Sequence, residues 1–287
     1  MPEGDTIFRA ARTLHRALAG RTVTRFDSAY PALTRVEVDQ SITGRTVDAV
    51  SSRGKHLLVS FSGGLVLRTH MRMNGSWHIY KRGEPWQRPA RDMRVLIETD
   101  VYVAVGFNIP DAEFLTPREL ARSRPLQTLG PDLAQPDFDR AEFFRRVRQH
   151  DAEPIEDVLL NQRVVAGIGN VLKSETLFVA RIHPAARAGS LDDRALERLL
   201  DAALRLMKMN VVESDALPLV PGRRTTGALD PAAKLYVYGR AGKACRRCGT
   251  RIEISRKGTD ARLTYWCPRC QPERRARGDS PPRGDAT

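Results

Sequence analysis

The sequence predicts an α+β chain in three parts: a β-rich amino-terminal domain entered through a helix, a helical middle, and a carboxy-terminal β-hairpin carrying a zinc site. Three observations predict it. From about residue 21 to 107, short runs rich in Val, Leu and Ile, such as "KHLLVSF", "GLVLRTHM" and "MRVLIE", are punctuated by Gly, Ser and Asn, as in an antiparallel sandwich or barrel. After residue 138 the apolar period becomes helical in "DRAEFFRRVRQH", "EPIEDVLLNQ", "NVLKSETLFVARI" and "LDDRALERLLDAALRLMKMNVVE". The only cysteines then follow in the pattern Cys245-x2-Cys248-x18-Cys267-x2-Cys270.

Taken in order, residues 5 to 19 read as a helix with Ile7, Ala11, Leu14 and Leu18 on one face, Asp5 as its cap and Gly20 as its terminator. The β-rich stretch follows. A domain boundary is expected near 120 to 138, where "LTPREL" and the proline-bearing "LGPDLAQPDF" interrupt both periods. Residues 214 to 234, rich in Gly, Pro, Arg and Thr, read as a loop, and "PERRARGDSPPRGDAT" has the composition of a disordered tail. The expected domains are 1–120, 135–213 and 235–271, with a tail at 272–287. There is no internal repeat.

Composition bounds the partners. At 287 residues and 41% hydrophobic content, the chain can bury a proper core. No stretch approaches a membrane span and the amino terminus lacks a signal-peptide core, so a cytoplasmic monomer away from membranes is expected. Lys and Arg number 47 against 34 Asp and Glu, a net charge of +13, which favours a polyanion such as nucleic acid; a merely soluble cationic protein is the alternative. In a reducing cytoplasm the two CxxC pairs point to one tetrahedral Zn2+ held by Cys245, Cys248, Cys267 and Cys270, with disulfides as the alternative. Four protein ligands leave no open coordination position. The zinc is therefore expected to be structural, which argues against a zinc-dependent hydrolase.

Several motifs can carry chemistry. Removal of Met1 from "MPEG" would leave Pro2 as a free secondary amine beside Glu3, either an accident or a catalytic pair. Lys55 follows Gly54 at the start of a strand, where it can reach a ligand or simply be solvated. In "RTHMRMNGSW", Arg72, Met73 and Asn74 precede Gly75 at a turn, and Met73 is either a wedge between stacked bases or an ordinary core methionine. In "NQRVVAGIGNVLKSETLF", Gly167 and Gly169 break one helix and Asn170 opens the next, aiming backbone N–H groups and an amide at a phosphate, with Lys173 adding charge. A glycine joint between helices without any ligand reads the same way. Between the knuckles, "TRIEISRKGTDARLTYW" alternates as a hairpin, with Ile252, Ile254, Leu263 and Tyr265 on one face and "KGTD" near the turn. Arg256, Lys257 and Arg262 would project toward a phosphate backbone, unless the ribbon binds only protein.

In their order and spacing, "MPEG", "RGKHLL", "THMRMNGSW", "NQRVVAGIGN", "VYGRAGKACRRCGT" and "YWCPRCQ" resemble the formamidopyrimidine-DNA glycosylase/endonuclease VIII family. The resemblance implies a β-sandwich, a helix-two-turns-helix domain and a zinc finger. It also implies a bifunctional DNA glycosylase and AP lyase of base excision repair, acting on double-stranded DNA with damaged bases or abasic sites and nucleoid-associated when bound. It implies Pro2 as nucleophile, Glu3 as the acid/base at the sugar ring oxygen, and Lys55 as the essential hairpin lysine. Asn170 and Arg262 become phosphate ligands, and Met73 the void-filling residue with Arg72 and Asn74 beside it. The chain departs from the family pattern twice. Asp5-Thr6 stands where a second glutamate is common, and "FNIPDAEFLTPREL" lacks the Arg-x-Phe wedge of the 8-oxoguanine enzymes. With "MPEG" and "RMNG" nearer the endonuclease VIII branch, oxidised pyrimidines are the expected substrates. The first departure also motivates a competing reading, a non-catalytic protein that binds damaged or abasic DNA.

Overall fold

The computed structural model describes residues 2–211, 223–226, 228, 230–257 and 262–273. Met1, part of the expected loop at 214–234, the "GTD" of the finger turn and the tail beyond 273 lie outside the described residues. The chain divides into two compact units, one of Met1–Phe143, Asn161–Gly169 and Met207–Leu219, the other of Phe144–Leu160, Asn170–Leu206 and Val220–Thr287.

The first unit opens with α1 (Gly4–Leu18), whose Ile7, Ala11, Leu14 and Leu18 are buried as their spacing predicts. The cap differs from the expectation. Glu3 occupies the N-cap position, while Asp5 lies inside the first turn, buried, its carboxylate accepting from the Thr6 backbone N–H.

Two four-stranded antiparallel sheets follow. In one, β1 (Val23–Ser28), β5 (Ser76–Lys81), β6 (Met93–Thr99) and β7 (Tyr102–Phe107) run in the order β1-β6-β7-β5. In the other, β2 (Val47–Arg53), β3 (His56–Phe61), β4 (Val66–His70) and β8 (Asp111–Leu115) run in the order β2-β3-β4-β8. Leu57, Val59 and Phe61 of β3 and Val95 and Ile97 of β6 meet the apolar face of α1 in one core, so the arrangement is a sandwich. Alternate residues turn the other way: Val103, Val105 and Phe107 join a second cluster with Tyr80, and Leu58 and Val66 join a third with Leu126. Apolar layers on both faces explain why these strands read as unbroken apolar runs and not as alternating ones.

The β-rich stretch also contains α2 (Pro31–Gln40), which its spacing does not announce. Thr34, Val36 and Val38 at alternate positions look strand-like, yet Pro31 presets the first helical turn and Leu33 anchors the helix in the core. The expected boundary region is itself partly helical, with α3 (Pro117–Arg122), capped by a Thr116/Glu119 box, and α4 (Arg124–Gln127).

The helices expected after residue 138 are α5 (Arg140–Arg148), α6 (Ile155–Leu160), α7 (Asn170–Ala180) and α8 (Asp193–Val211). In the second unit α6 packs on α7, and α7 carries the hairpin of β9 (Glu253–Lys257) and β10 (Arg262–Trp266). Ile252 is buried with Phe178 and Val237 under the finger, and Tyr265 packs on them; Ile254 stands opposite Tyr265 in the ladder, on the expected common face, but is 42% exposed. Among the described residues no helix is long and apolar enough to cross a membrane.

His56 and His70 stand opposite one another on β3 and β4, their rings 4.8 Å apart. Burial lowers His56 from 6.5 to about 3, helped by His70, Arg68 and Arg72 and opposed by Asp111. Burial and Arg72 likewise lower His70 to about 4, with Lys55 and Arg68 adding to the shift and Asp111 opposing it. Below about pH 6.5 the unfolded chain protonates both rings while the folded chain does not, so this contribution to stability is full above that pH and is lost as the pH falls toward 4. The melting midpoint should therefore drop on acidification through this window, and His56→Gln should flatten the drop when both proteins are followed by calorimetry.

Candidate active site

Segments of the first unit that are remote in sequence meet around the amino terminus. The Gly4 N–H donates to the Gly167 carbonyl at 2.8 Å, and a Cβ on Gly4 would lie 2.6 Å from the Gly167 Cα. Glu3 is buried, and its carboxyl lies so close to Gly169 that a Cβ there would stand 2.4 Å from the Glu3 Cδ. Gly169 is therefore the imprint of Glu3, Gly4 that of the turn, and Gly167 is held to glycine by its φ of 99°. Pro2 precedes them, partly exposed.

Lys55 reaches the same turn from the tip of the β2–β3 hairpin, which Gly54 closes at a φ of 58°. Its Nζ donates to the Ile168 carbonyl at 2.5 Å, an oxygen that also accepts from Gln162 Nε2 at 2.9 Å. The Gly54 N–H donates to Asp132 Oδ2 at 2.7 Å, which ties down the hairpin itself. The sequence singles out Pro2, Glu3, Lys55 and the glycine turn separately; folding brings them together. α6 has already ended at Leu160, so this turn closes a nonhelical stretch and does not interrupt a helix. Gly4, Gln162 and Asp132 escape the sequence reading. Gly4 alone carries a signal, since glycine opening a helix is costly without a packing reason. Were Met1 removed, the set would bring the Pro2 amine, a buried carboxyl and an ammonium to one turn, the equipment for nucleophilic attack with acid assistance.

Between β4 and β5, Arg72 takes a left-handed φ of 50°, and its Nε bonds Asp111 Oδ2 at 2.6 Å. Met73 is 64% exposed and Asn74 is exposed, while Met71 is the buried methionine of this turn. The core reading of Met73 is thereby removed.

In the second unit Asn170 begins α7, and its Nδ2 donates to the Leu263 carbonyl at 2.7 Å while its Oδ1 is buried without a hydrogen-bond partner among the described residues. Leu263 follows the partly exposed Arg262, so the two residues expected at phosphate come together on α7 and β10. Lys173 requires a correction. It is 1% exposed, its Nζ donating to Thr264 Oγ1 at 2.6 Å with Glu156 at 3.9 Å, so its charge serves packing of the finger on α7 and offers DNA nothing. Glu175 also escapes the sequence reading, although an acid on the apolar "SETLF" helix is a signal. Its carboxylate accepts from the backbone N–H groups of Tyr236, Val237 and Tyr238, each at 2.8 Å, and from Thr225 Oγ1. Burial raises its pKa against those bonds.

The Sγ atoms of Cys245, Cys248, Cys267 and Cys270 all lie within 4.8 Å of one another, with separations of 3.9 Å between Cys245 and Cys270, 3.4 Å between Cys248 and Cys267 and 3.5 Å between Cys248 and Cys270. A tetrahedron of thiolates about 2.3 Å from zinc has edges of about 3.8 Å, so the four fit one structural Zn2+.

Gly169→Ala should displace the Glu3 carboxyl and slow cleavage of an abasic duplex by about 100-fold in single-turnover assays, because misplacements of about 1 Å are that costly. The purified chain should carry one zinc per molecule by elemental analysis, and Cys267→Ser should lose it together with the cooperative melting of the finger.

Three sequence signatures match the chain: the formamidopyrimidine-DNA glycosylase N-terminal domain over residues 1–122, the formamidopyrimidine-DNA glycosylase H2TH domain over 129–217, and the zinc finger found in FPG and IleRS over 242–272. The probable endonuclease 8 2 of Streptomyces coelicolor is 41% identical over 274 residues, 94% of each chain. The DNA-(apurinic or apyrimidinic site) lyase Nei2 of Mycolicibacterium smegmatis is 37% identical over 94% of this chain and 99% of its own. Lactococcus lactis Fpg, in a complex with DNA containing an abasic site, shares the fold at a TM-score of 0.78 and 24% identity, covering 94% of this chain and 100% of that one. Signatures, relatives and fold agree: the chain belongs to the formamidopyrimidine-DNA glycosylase/endonuclease VIII family of DNA glycosylases and AP lyases.

Proposed function

We propose that the chain excises oxidised bases, pyrimidines foremost, from double-stranded DNA through a covalent intermediate at Pro2, and cuts the strand by β- and then δ-elimination. The observation that carries this reading is the seating of residues 2–4 and the Lys55 ammonium on one glycine turn. With Met1 removed, the Pro2 amine attacks C1′ of the damaged nucleotide, the bond to the base breaks, and the amine proton is lost as a cationic iminium forms. A secondary amine has only one N–H to give up, so the adduct stays cationic and acts as an electron sink. The Glu3 carboxyl, excluded from water against Gly169, donates its proton to the sugar ring oxygen as the ring opens. A base removes a C2′ proton and the C–H electron pair moves into the sink, the resulting enamine expels the 3′ phosphate, and a second elimination expels the 5′ phosphate.

Lys55, Asn170 and Arg262 grip the backbone of the damaged strand. Met73, flanked by Arg72 and Asn74, enters the stack where the nucleotide leaves it, for which its exposure is suited. The relatives named endonuclease 8 agree with the branch for which the sequence resemblance implies pyrimidine lesions.

Glu3→Gln should cut removal of dihydrouracil from a duplex by at least about 100-fold while leaving affinity for an abasic duplex unchanged. Retention of full activity by Glu3→Gln would refute the mechanism. A wild-type chain that binds abasic duplex without ever nicking it would establish the non-catalytic reading, and faster removal of 8-oxoguanine than of dihydrouracil would overturn the substrate preference.

A further inference from the structure

The turn that carries Met73 borders a cavity of about 870 Å3 in the first unit. Its wall is cationic, with Arg72, Arg88 and Arg94 interspersed with Asn74 and Asn108. Asp111 neutralises Arg72 at 2.6 Å. The other two arginines have no such partner among the described residues: Arg94 spends its NH1 on the carbonyls of Arg91 and Met93, and Arg88 makes no hydrogen bond or ion pair. Both are half-buried in a concave wall, where guanidinium groups without a counter-ion lose hydration and attract an anion.

The backbone of this wall is also unusual. Among the described residues only four other than glycine adopt a positive φ, and two of them, Arg72 and Asn108, both at 50°, line this cavity. Strained residues of this kind concentrate at ligand sites.

The chemistry of the wall selects the ligand. Guanidinium and amide donors match the oxygens of a phosphodiester. Met73 at the rim fixes which one. A side chain inserted into the base stack has the backbone of each strand to one side, and the minor groove is only about 6 Å wide. Lys55, Asn170 and Arg262, assigned above to the damaged strand, are not among the residues of this cavity.

We propose that the arginine-lined cavity beside Met73 binds a backbone phosphate of the strand opposite the lesion, and that this contact makes the enzyme prefer duplex to single-stranded DNA. The proposal rests on the glycosylase/lyase reading above.

The test compares wild type with Arg88→Gln and with Arg88→Gln/Arg94→Gln, titrating a fluorescent oligonucleotide bearing an abasic analogue, as duplex and as single strand, over a salt series. On duplex the slope of log K against log salt should flatten by about 1 for each arginine removed. On the single strand it should not change, so the preference for duplex should fall about tenfold or more. An unchanged duplex slope, or an equal fall on both substrates, would overturn the proposal. Arg88 bonds to nothing among the described residues, so Arg88→Gln should melt as wild type does and the result should not be confused with unfolding. Cleavage of a single-stranded abasic oligonucleotide keeps the two readings apart. If neither protein cleaves any abasic substrate, the proposed function fails; if both cleave the single strand equally and the duplex slopes agree, only the phosphate site fails.

Discussion

The site depends first on how closely the backbone of residues 3 and 4 lies on the turn at 167–169. Amino termini fray unless something ties them down. Here one main-chain hydrogen bond of 2.8 Å and two contacts too close for any Cβ hold the terminus in place. A nucleophile on a tether would lose most of the advantage of orientation, whereas one fixed at the start of a fifteen-residue helix inherits the rigidity of the sandwich core against which that helix packs. The Lys55 bond to the Ile168 carbonyl extends the same constraint to the β2–β3 hairpin.

Much of this was legible in the sequence, and the failures have physical reasons. The helical face of α1, the apolar strands and the cysteine tetrad follow from local periodicity and ligand chemistry, which short segments express by themselves. The cap of α1 did not, because Asp5 has the right residue type but the close approach of Gly4 to Gly167, 163 residues away, lengthens the helix. α2 was hidden by its β-branched residues, whose weak local preference yields to packing of Leu33 in the core. Lys173 shows the limit of counting charge. On a chain with a net +13, a lysine beside a glycine turn looks like a DNA contact, and only the fold reveals Glu156 and Thr264 enclosing it.

That lysine also separates two uses of charge in one basic protein. Glu156, Lys173 and Glu175 spend theirs inside the second unit, joining α7 to the finger and to residues 236–238 through bonds that an apolar helix could not make. Such buried groups are costly to leave half-paired, which makes them determinants of one arrangement of the finger on its helix. Arg88 and Arg94 keep theirs on the wall of the cavity beside Met73, where under the proposal above a polyanion would complete the pairing.

The central claim, that the docked amino terminus supplies the nucleophile, is tested most directly by borohydride reduction of the enzyme on a dihydrouracil duplex, followed by mass spectrometry of the cross-linked peptide. The account predicts a single adduct on a peptide that begins at Pro2. Strand cleavage with no trapped adduct, or an adduct on a lysine such as Lys55, would contradict it.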